Sequence, residues 1–189
     1  GIATYIEPTG AAGSIPTMTG ELAQVQIDPT GKVTATMSTH SQGHGTATTM
    51  AQIFADRLGV AYEDVTVFEG DSSRGGFSPG AAGSRQGVIA GGAAIMAADL
   101  LAARVKQLAA HLLEVDAEAI RLEDGTVHVA GAAEKSRTLR AIAETGVVRT
   151  FPKNTVLIHE GDSGDALYIV LSGRVKVYAS NAAGREVVL

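Results

Sequence analysis

Apolar and polar residues alternate with a period of two over residues 22–28 and 33–37, on either side of Asp28-Pro29-Thr30-Gly31-Lys32. This is the pattern of two half-buried strands joined by a turn, with Pro presetting φ and Gly free to take positive φ. The period changes after Gly45. Met50, Ile53, Phe54 and Leu58 fall at i, i+3, i+4 and i+8, which gives a helix over 45–58 one apolar face, and Gly59 supplies its stop. Residues 65–68 predict a short strand ended by Glu69-Gly70-Asp71, followed by a Gly- and Ser-rich loop over 71–83.

A long helix is predicted from Ser84 to about Leu113. Its first half is small and apolar, and Gly87, Gly91 and Gly92 there imply close backbone packing, because glycine otherwise weakens a helix. Its second half carries Leu101, Val105, Leu108 and Leu112 on one stripe. Residues 120–129 read as a second hairpin around Asp124-Gly125, and residues 138–144 as a short helix. Only strand patterns follow, at 156–158, 167–171, 175–178 and 186–189, separated by turn signals at 161–164, 172–173 and 181–184. Short strands so regularly spaced indicate a β-roll, barrel or sandwich. The expected class is α+β: a mixed strand and helix domain over 1–146, then an antiparallel β-roll fragment over 147–189.

Composition narrows the chemistry. With 189 residues and 45% apolar content the chain is globular, but only 4% is aromatic and there is no Trp. The core must therefore be built from Ala, Val, Ile and Leu, which pack closely and bury less area per residue. The net charge of −5 and the lack of any Lys or Arg run exclude the electrostatic footprint of a nucleic-acid binder. Without Cys there is no disulfide, thiolate metal site, Cys nucleophile or Cys-ligated cluster. Residues 1–5 have no basic start or apolar h-region and no initiating Met, so the chain reads as cut from a longer one. The most apolar run, 86–98, is short for a membrane span and meets Asp99 at once, so no membrane association and a cytoplasmic location are expected.

Ser41-Gln42-Gly43-His44-Gly45-Thr46 lies between a predicted strand and a predicted helix. Backbone N–H groups at a helix start suit an anion such as phosphate, and Gly43 and Gly45 let a ligand approach the backbone. The spacing fits neither a dinucleotide fingerprint nor a P-loop. On local chemistry alone, a Gly-rich turn with a helix N-cap is the favoured reading.

The wider order of motifs changes this. Gly1-Ile2-Ala3-Thr4-Tyr5-Ile6-Glu7, Ser41-Gln42-Gly43-His44, residues 51–60, Glu69-Gly70-Asp71 and Gly83-Ser84-Arg85 together resemble the xanthine dehydrogenase/aldehyde oxidase family. The likeness covers about residues 1–144. It is nearest to the molybdopterin-binding large subunit of bacterial members, including aerobic carbon monoxide dehydrogenases. The resemblance implies an oxidoreductase that hydroxylates a small substrate, with molybdopterin dinucleotide as cofactor and flavin and iron–sulfur subunits as partners. Carried over, the cofactor-binding candidates are Gln42, Gly43, His44, Gly83, Ser84 and Arg85. Helix-start amides at 83–85 and the Arg85 fork suit a pyrophosphate.

Ser41 stands where the family usually has Gly, and Gly45 where it usually has Glu. The family's catalytic Glu lies downstream of the part represented here, so no catalytic residue is assigned. Glu7, Glu21, Glu63 and Glu69 are not in a matching context. No protein ligand to molybdenum is expected, because the cofactor's dithiolene holds the metal. The chain reads as a piece of such an enzyme, inactive by itself.

Residues 149–153, 158–162, 166–177 and 184–186 resemble the opening of a cyclic-nucleotide-binding domain of the catabolite-activator type, over about 148–189. That family's phosphate cassette lies beyond Leu189. The alternatives to an enzyme fragment are therefore a partial small-molecule-sensing module and a non-catalytic chimera. Among the other candidates, His40, His111, His128 and His159 show no metal spacing. Arg74 and Arg85 can equally pair with acidic neighbours, and Asp71 can simply close a turn.

Overall fold

The computed structural model describes residues 1–6, 10, 20–145, 150–157, 175, 178–180 and 186–188. It divides into two compact units, Gly1–Val147 and Val148–Leu189.

In the first unit, β1 (Ala23–Ile27) and β2 (Val33–Met37) pair antiparallel, with Ile27 opposite Val33 across the turn. Asp28 closes that turn by accepting from Thr30 N, Thr30 Oγ1 and Lys32 N. The hydrogen bond from the Thr30 hydroxyl is the main reason its carboxyl is held below the usual range. A depressed carboxyl contributes stability above its unfolded pKa, and this is lost as the pH falls through the folded value. From β2 the chain crosses through α1 (Thr46–Leu58) to β3 (Val65–Phe68), which lies parallel to β2 in a sheet ordered β1-β2-β3. Parallel neighbours need such a crossover, here a helix. Met50, Phe54 and Leu58 of α1 are buried and Ile53 packs on the same core, as the periodicity predicts. Burying each large side chain stabilises by roughly 1.5–3 kcal/mol.

The loop over 71–83 contains one short helical turn, α2 (Ser72–Gly75), which the sequence reading left out. Asp71 caps it by accepting from Ser73 N and Ser73 Oγ. These Ser73 bonds, the hydroxyl's first, hold its carboxyl low.

The long helix opens with a π-helical turn, Gln86–Ala90, and continues as α3 (Gly91–Leu113). It is the spine of the unit. Ala90, Ala94, Ala98 and Ala102 pack on α1 and the first sheet, while Val105, Ala109 and Ala110 pack on a second core. The stripe expected from sequence thus holds at Leu101 and Val105 but not beyond. Leu108 and Leu112 are exposed, and the buried stripe is mostly alanine, because only small side chains let two helices approach closely. The reading of the three glycines also changes. A Cβ on Gly87 or Gly92 would meet nothing, and one on Gly91 only Ile53 Cδ1 at 3.9 Å.

Asp99 does not end the apolar run. It lies on the exposed face and pairs with Arg57 at 3.5 Å. The helical stretch Gln86–Leu113 is consequently long and apolar enough, by length and composition, to cross a membrane. One face of it is the alanine stripe packed in the two cores.

The second sheet is antiparallel, ordered β4-β5-β6: β4 (Ile120–Glu123), β5 (Thr126–Val129) and β6 (Ala132–Thr138). Asp124 and Gly125, both at positive φ, make the two-residue turn predicted between β4 and β5. Strand β6 was not predicted. Thr138 then caps α4 (Leu139–Ala143) by accepting from Ala141 N. Helix and strand content together place the chain in the expected mixed class.

In the second unit, β7 (Tyr178–Ser180) and β8 (Glu186–Val188) pair antiparallel. Val156 and Leu157 are not in a strand, nor is Val175, contrary to expectation. The predicted strand at 167–171 lies outside the described residues.

Gly59 joins the two sheets. It ends α1 at φ 61°, its carbonyl accepts from Gly125 N at 2.6 Å, and an added Cβ would lie 2.6 Å from Leu122 O. Gly59→Ala is expected to cost about 2 kcal/mol or more, since a left-handed non-glycine costs about 1–3 kcal/mol before any clash. Gly92→Ala, helical and unobstructed, should instead stabilise by about 0.5–1 kcal/mol. Urea unfolding of both variants checks the contrast, and a neutral Gly59→Ala contradicts it.

Candidate functional site

The loop over 38–45 leaves the C-terminal end of β2, and the turn over 69–71 leaves the same end of its parallel neighbour β3. In open sheets containing parallel strands, ligands bind beyond this end. Here the two segments are tied together. Ser41 N donates to Glu69 Oε1 at 2.9 Å and Gly70 N to Thr39 O at 3.1 Å. The other Glu69 oxygen is buried with no hydrogen-bond partner among the described residues.

The first two amides of the Gln-Gly-His segment are engaged internally. Gln42 N donates to His44 Nδ1 at 3.3 Å, and Gly43 N to Ser41 Oγ at 3.2 Å. Gly43 at φ 98° and Gly45 at φ 75° then reverse the chain into α1. Gly45 is the N-cap residue of this Gly-rich turn and makes no side-chain cap hydrogen bond. The first amide satisfied by the helix is Thr49 N, donating to Gly45 O. The N–H groups of His44, Gly45, Thr46, Ala47 and Thr48 have no acceptor among the described residues. Unpaired amides at the positive end of a helix, here one of 13 residues, have the chemistry to take an anion.

Gly83-Ser84-Arg85 reaches the same region in a different way from that expected. Gly83 and Ser84 both take φ 54°, a conformation uncommon for Ser, and Gly83 O accepts from Gly10 N. Ser84 is exposed. Arg85 is completely buried with Glu21. Its Nη1 donates to the Glu21 carboxylate and to Gly80 O at 3.1 Å, and its Nη2 donates to Gly20 O at 3.1 Å. Glu21 also accepts from Ser38 Oγ and from Ser78 Oγ at 2.9 Å. Arg85 thus pairs with an acidic neighbour, the alternative noted above.

Gln86 was missed by sequence reasoning. Buried beside Arg85, it donates from Nε2 to Thr39 Oγ1 at 2.6 Å and to His40 O at 2.8 Å, while its Oε1 meets His44 Nε2. Thr46 Oγ1 lies 2.8 Å from the same His44 nitrogen. Gln86 thereby joins the long helix to the loop before α1. Nothing in its spacing announced this, because its partners lie more than 39 positions away. Among the described residues no three His, Asp or Glu side chains gather to hold a metal ion.

Comparison with known proteins accords with this geometry. A family profile described as a molybdopterin cofactor-binding domain matches residues 1–169. The chain belongs to that family. It is 38% identical over 149 residues to the nicotine 6-hydroxylase large subunit of Paenarthrobacter nicotinovorans, covering 76% of this chain and 18% of that protein. It is 38% identical over 121 residues to the carbon monoxide dehydrogenase large chain of Afipia carboxidovorans, covering 64% and 15%. Among solved structures, quinoline 2-oxidoreductase from Pseudomonas putida 86 is similar at 45% identity with a TM-score of 0.66, over 72% of this chain and 18% of that one. The chain thus spans less than a fifth of the length of these relatives. The family match also continues past residue 147, into the segment likened to a cyclic-nucleotide-binding domain.

Breaking the buried pair with Glu21→Ala leaves a guanidinium without its counter-charge and should cost about 3–5 kcal/mol. Glu144→Ala, which removes the exposed Arg140–Glu144 pair, should cost under about 1 kcal/mol. Chemical denaturation distinguishes the two. Equal small losses would mean that the Arg85–Glu21 pair does not organise the site.

Proposed function

We propose that this chain supplies one wall of a molybdopterin dinucleotide site in the large subunit of a molybdenum-dependent hydroxylase or dehydrogenase. The observation that carries the reading is the run of five unpaired amides, His44 to Thr48, at the start of α1. An array of N–H donors at a helix N-terminus matches the pyrophosphate of such a cofactor in charge and in hydrogen-bonding capacity. Gln42, Gly43 and His44 shape the turn that presents the amides, and the exposed Ser84, beside the buried Gly83, offers a second contact. Arg85 acts from behind, by holding residues 20–21 and 78–80 against the start of the long helix. When bound, the cofactor supplies the redox chemistry. The part of the protein represented by these residues binds and orients it.

The same reading assigns flavin and iron–sulfur subunits as partners and the cytoplasm as location. What supports the partners is that relatives are named as large chains or as subunits of a complex. For residues 148–189, the reading as the opening of a cyclic-nucleotide-binding roll has the β7–β8 hairpin in its favour and the family match through residue 169 against it. A sensing module and a non-catalytic chimera are the corresponding alternatives.

Amide hydrogen exchange with and without molybdopterin dinucleotide tests the proposal. With ligand at ten times its Kd, exchange at residues 44–48 should slow roughly tenfold. The amides of 41–43, already engaged, should change little. Unchanged exchange at 44–48 under saturating ligand would contradict the proposal.

A further inference from the structure

We propose that Gln86 is a positioning residue that fixes His44 as the neutral tautomer with its proton on Nε2. The first step concerns the amide itself. Its nitrogen lies 2.8 Å from His40 O, an atom that can only accept, and 2.6 Å from Thr39 Oγ1. The amide flipped end for end would set two oxygens against each other. Oε1 must therefore be the atom that faces His44 Nε2. An amide oxygen carries no hydrogen, so the imidazole supplies it, and Nε2 is protonated. The second step comes from the opposite side of the ring. Gln42 N–H points at Nδ1 from 3.3 Å, so Nδ1 must present its lone pair. A ring with its proton on Nδ1, or on both nitrogens, would oppose one or both neighbours.

The Thr46 hydroxyl completes the arrangement. It lies 2.8 Å from His44 Nε2 and 3.4 Å from Gln86 Oε1, so it accepts from the ring while donating to the amide oxygen. One side chain on the long helix thus sets the protonation pattern of a ring on the loop before α1. Through Nδ1 it also holds the Gln42 amide inward, which leaves the chain to reverse at Gly43 and Gly45 and expose the next five amides. The use of that turn rests on the cofactor reading, but the tautomer is a property of the ligand-free chain.

The test is made on that chain. Long-range proton–nitrogen NMR of His44 should show a protonated Nε2 and an unprotonated Nδ1 as a single form. The reverse tautomer, or an average of both, overturns the proposal. In Gln86→Leu the His44 signals should move toward a tautomer average. Exchange of the Gln42 amide should also rise by up to about tenfold, the equivalent of one hydrogen bond, while amides of β4 and β5 stay as they were. A Gln86→Leu chain that keeps the single Nε2–H form would likewise overturn it. If that variant does not fold, the spectrum of the parent chain still decides. Failure to bind molybdopterin dinucleotide would leave both readouts standing and would count only against the proposed function.

Discussion

The candidate site depends on an ion pair that no solvent reaches. Arg85 and Glu21 are 64 positions apart in sequence, yet their charged ends meet in the interior, where each is expensive to bury alone. The pair is tolerable because much of its remaining hydrogen-bonding capacity is taken up by Gly20 O, Gly80 O, Ser38 and Ser78. Its partners therefore have to be in place together. That requirement joins the strand leading into β1, the end of β2 and the segment before the long helix. With the long helix so fixed, Gln86 reaches the loop after β2 and sets the turn before α1. A buried pair of this kind is weak evidence for net stability, but it restricts the ways these segments can be arranged.

Most elements were legible because they are built on large apolar residues at regular spacing or on strong turn chemistry. The β1–β2 hairpin, α1 with its Gly59 stop, and the Asp124-Gly125 turn all belong to this class. The exceptions have physical causes. Strand β6, Ala132–Thr138, carries Glu134, Lys135 and Arg137 at the edge of its sheet, so it shows no apolar alternation. On helix α3 the expected stripe holds at Leu101 and Val105 but not at Leu108 and Leu112, because most of its core contacts use alanine, which stands out little in an apolar pattern. For the site, the motif order pointed to Arg85 as a direct contact, and the fold pairs Arg85 with Glu21. An Arg next to Gly-Ser reads as an anion clamp, and only the fold brings Glu21 to it. The proposed binding groups are main-chain amides, which have no side-chain signature beyond Gly43 and Gly45.

The proposed site therefore separates groups that would touch a cofactor from groups that make touching possible. Amides at 44–48 and the Ser84 turn belong to the first set, whereas Arg85, Glu21 and Gln86 belong to the second. This division explains how a helix start can stay uncapped in a folded chain. The surrounding network fixes the loop without using those amides, so they are left for a ligand. It also fits a chain that represents less than a fifth of its relatives' length, since one wall of a site is what such a piece can hold.

The most direct measurement of this division is the side-chain NMR spectrum of Arg85 while the chain is titrated with inorganic pyrophosphate. The account predicts that the guanidinium N–H signals stay unchanged at saturation, because the group remains on Glu21, Gly20 and Gly80, while the backbone amides of 44–48 shift. Movement of the Arg85 signals with the ligand, and none at 44–48, would contradict it.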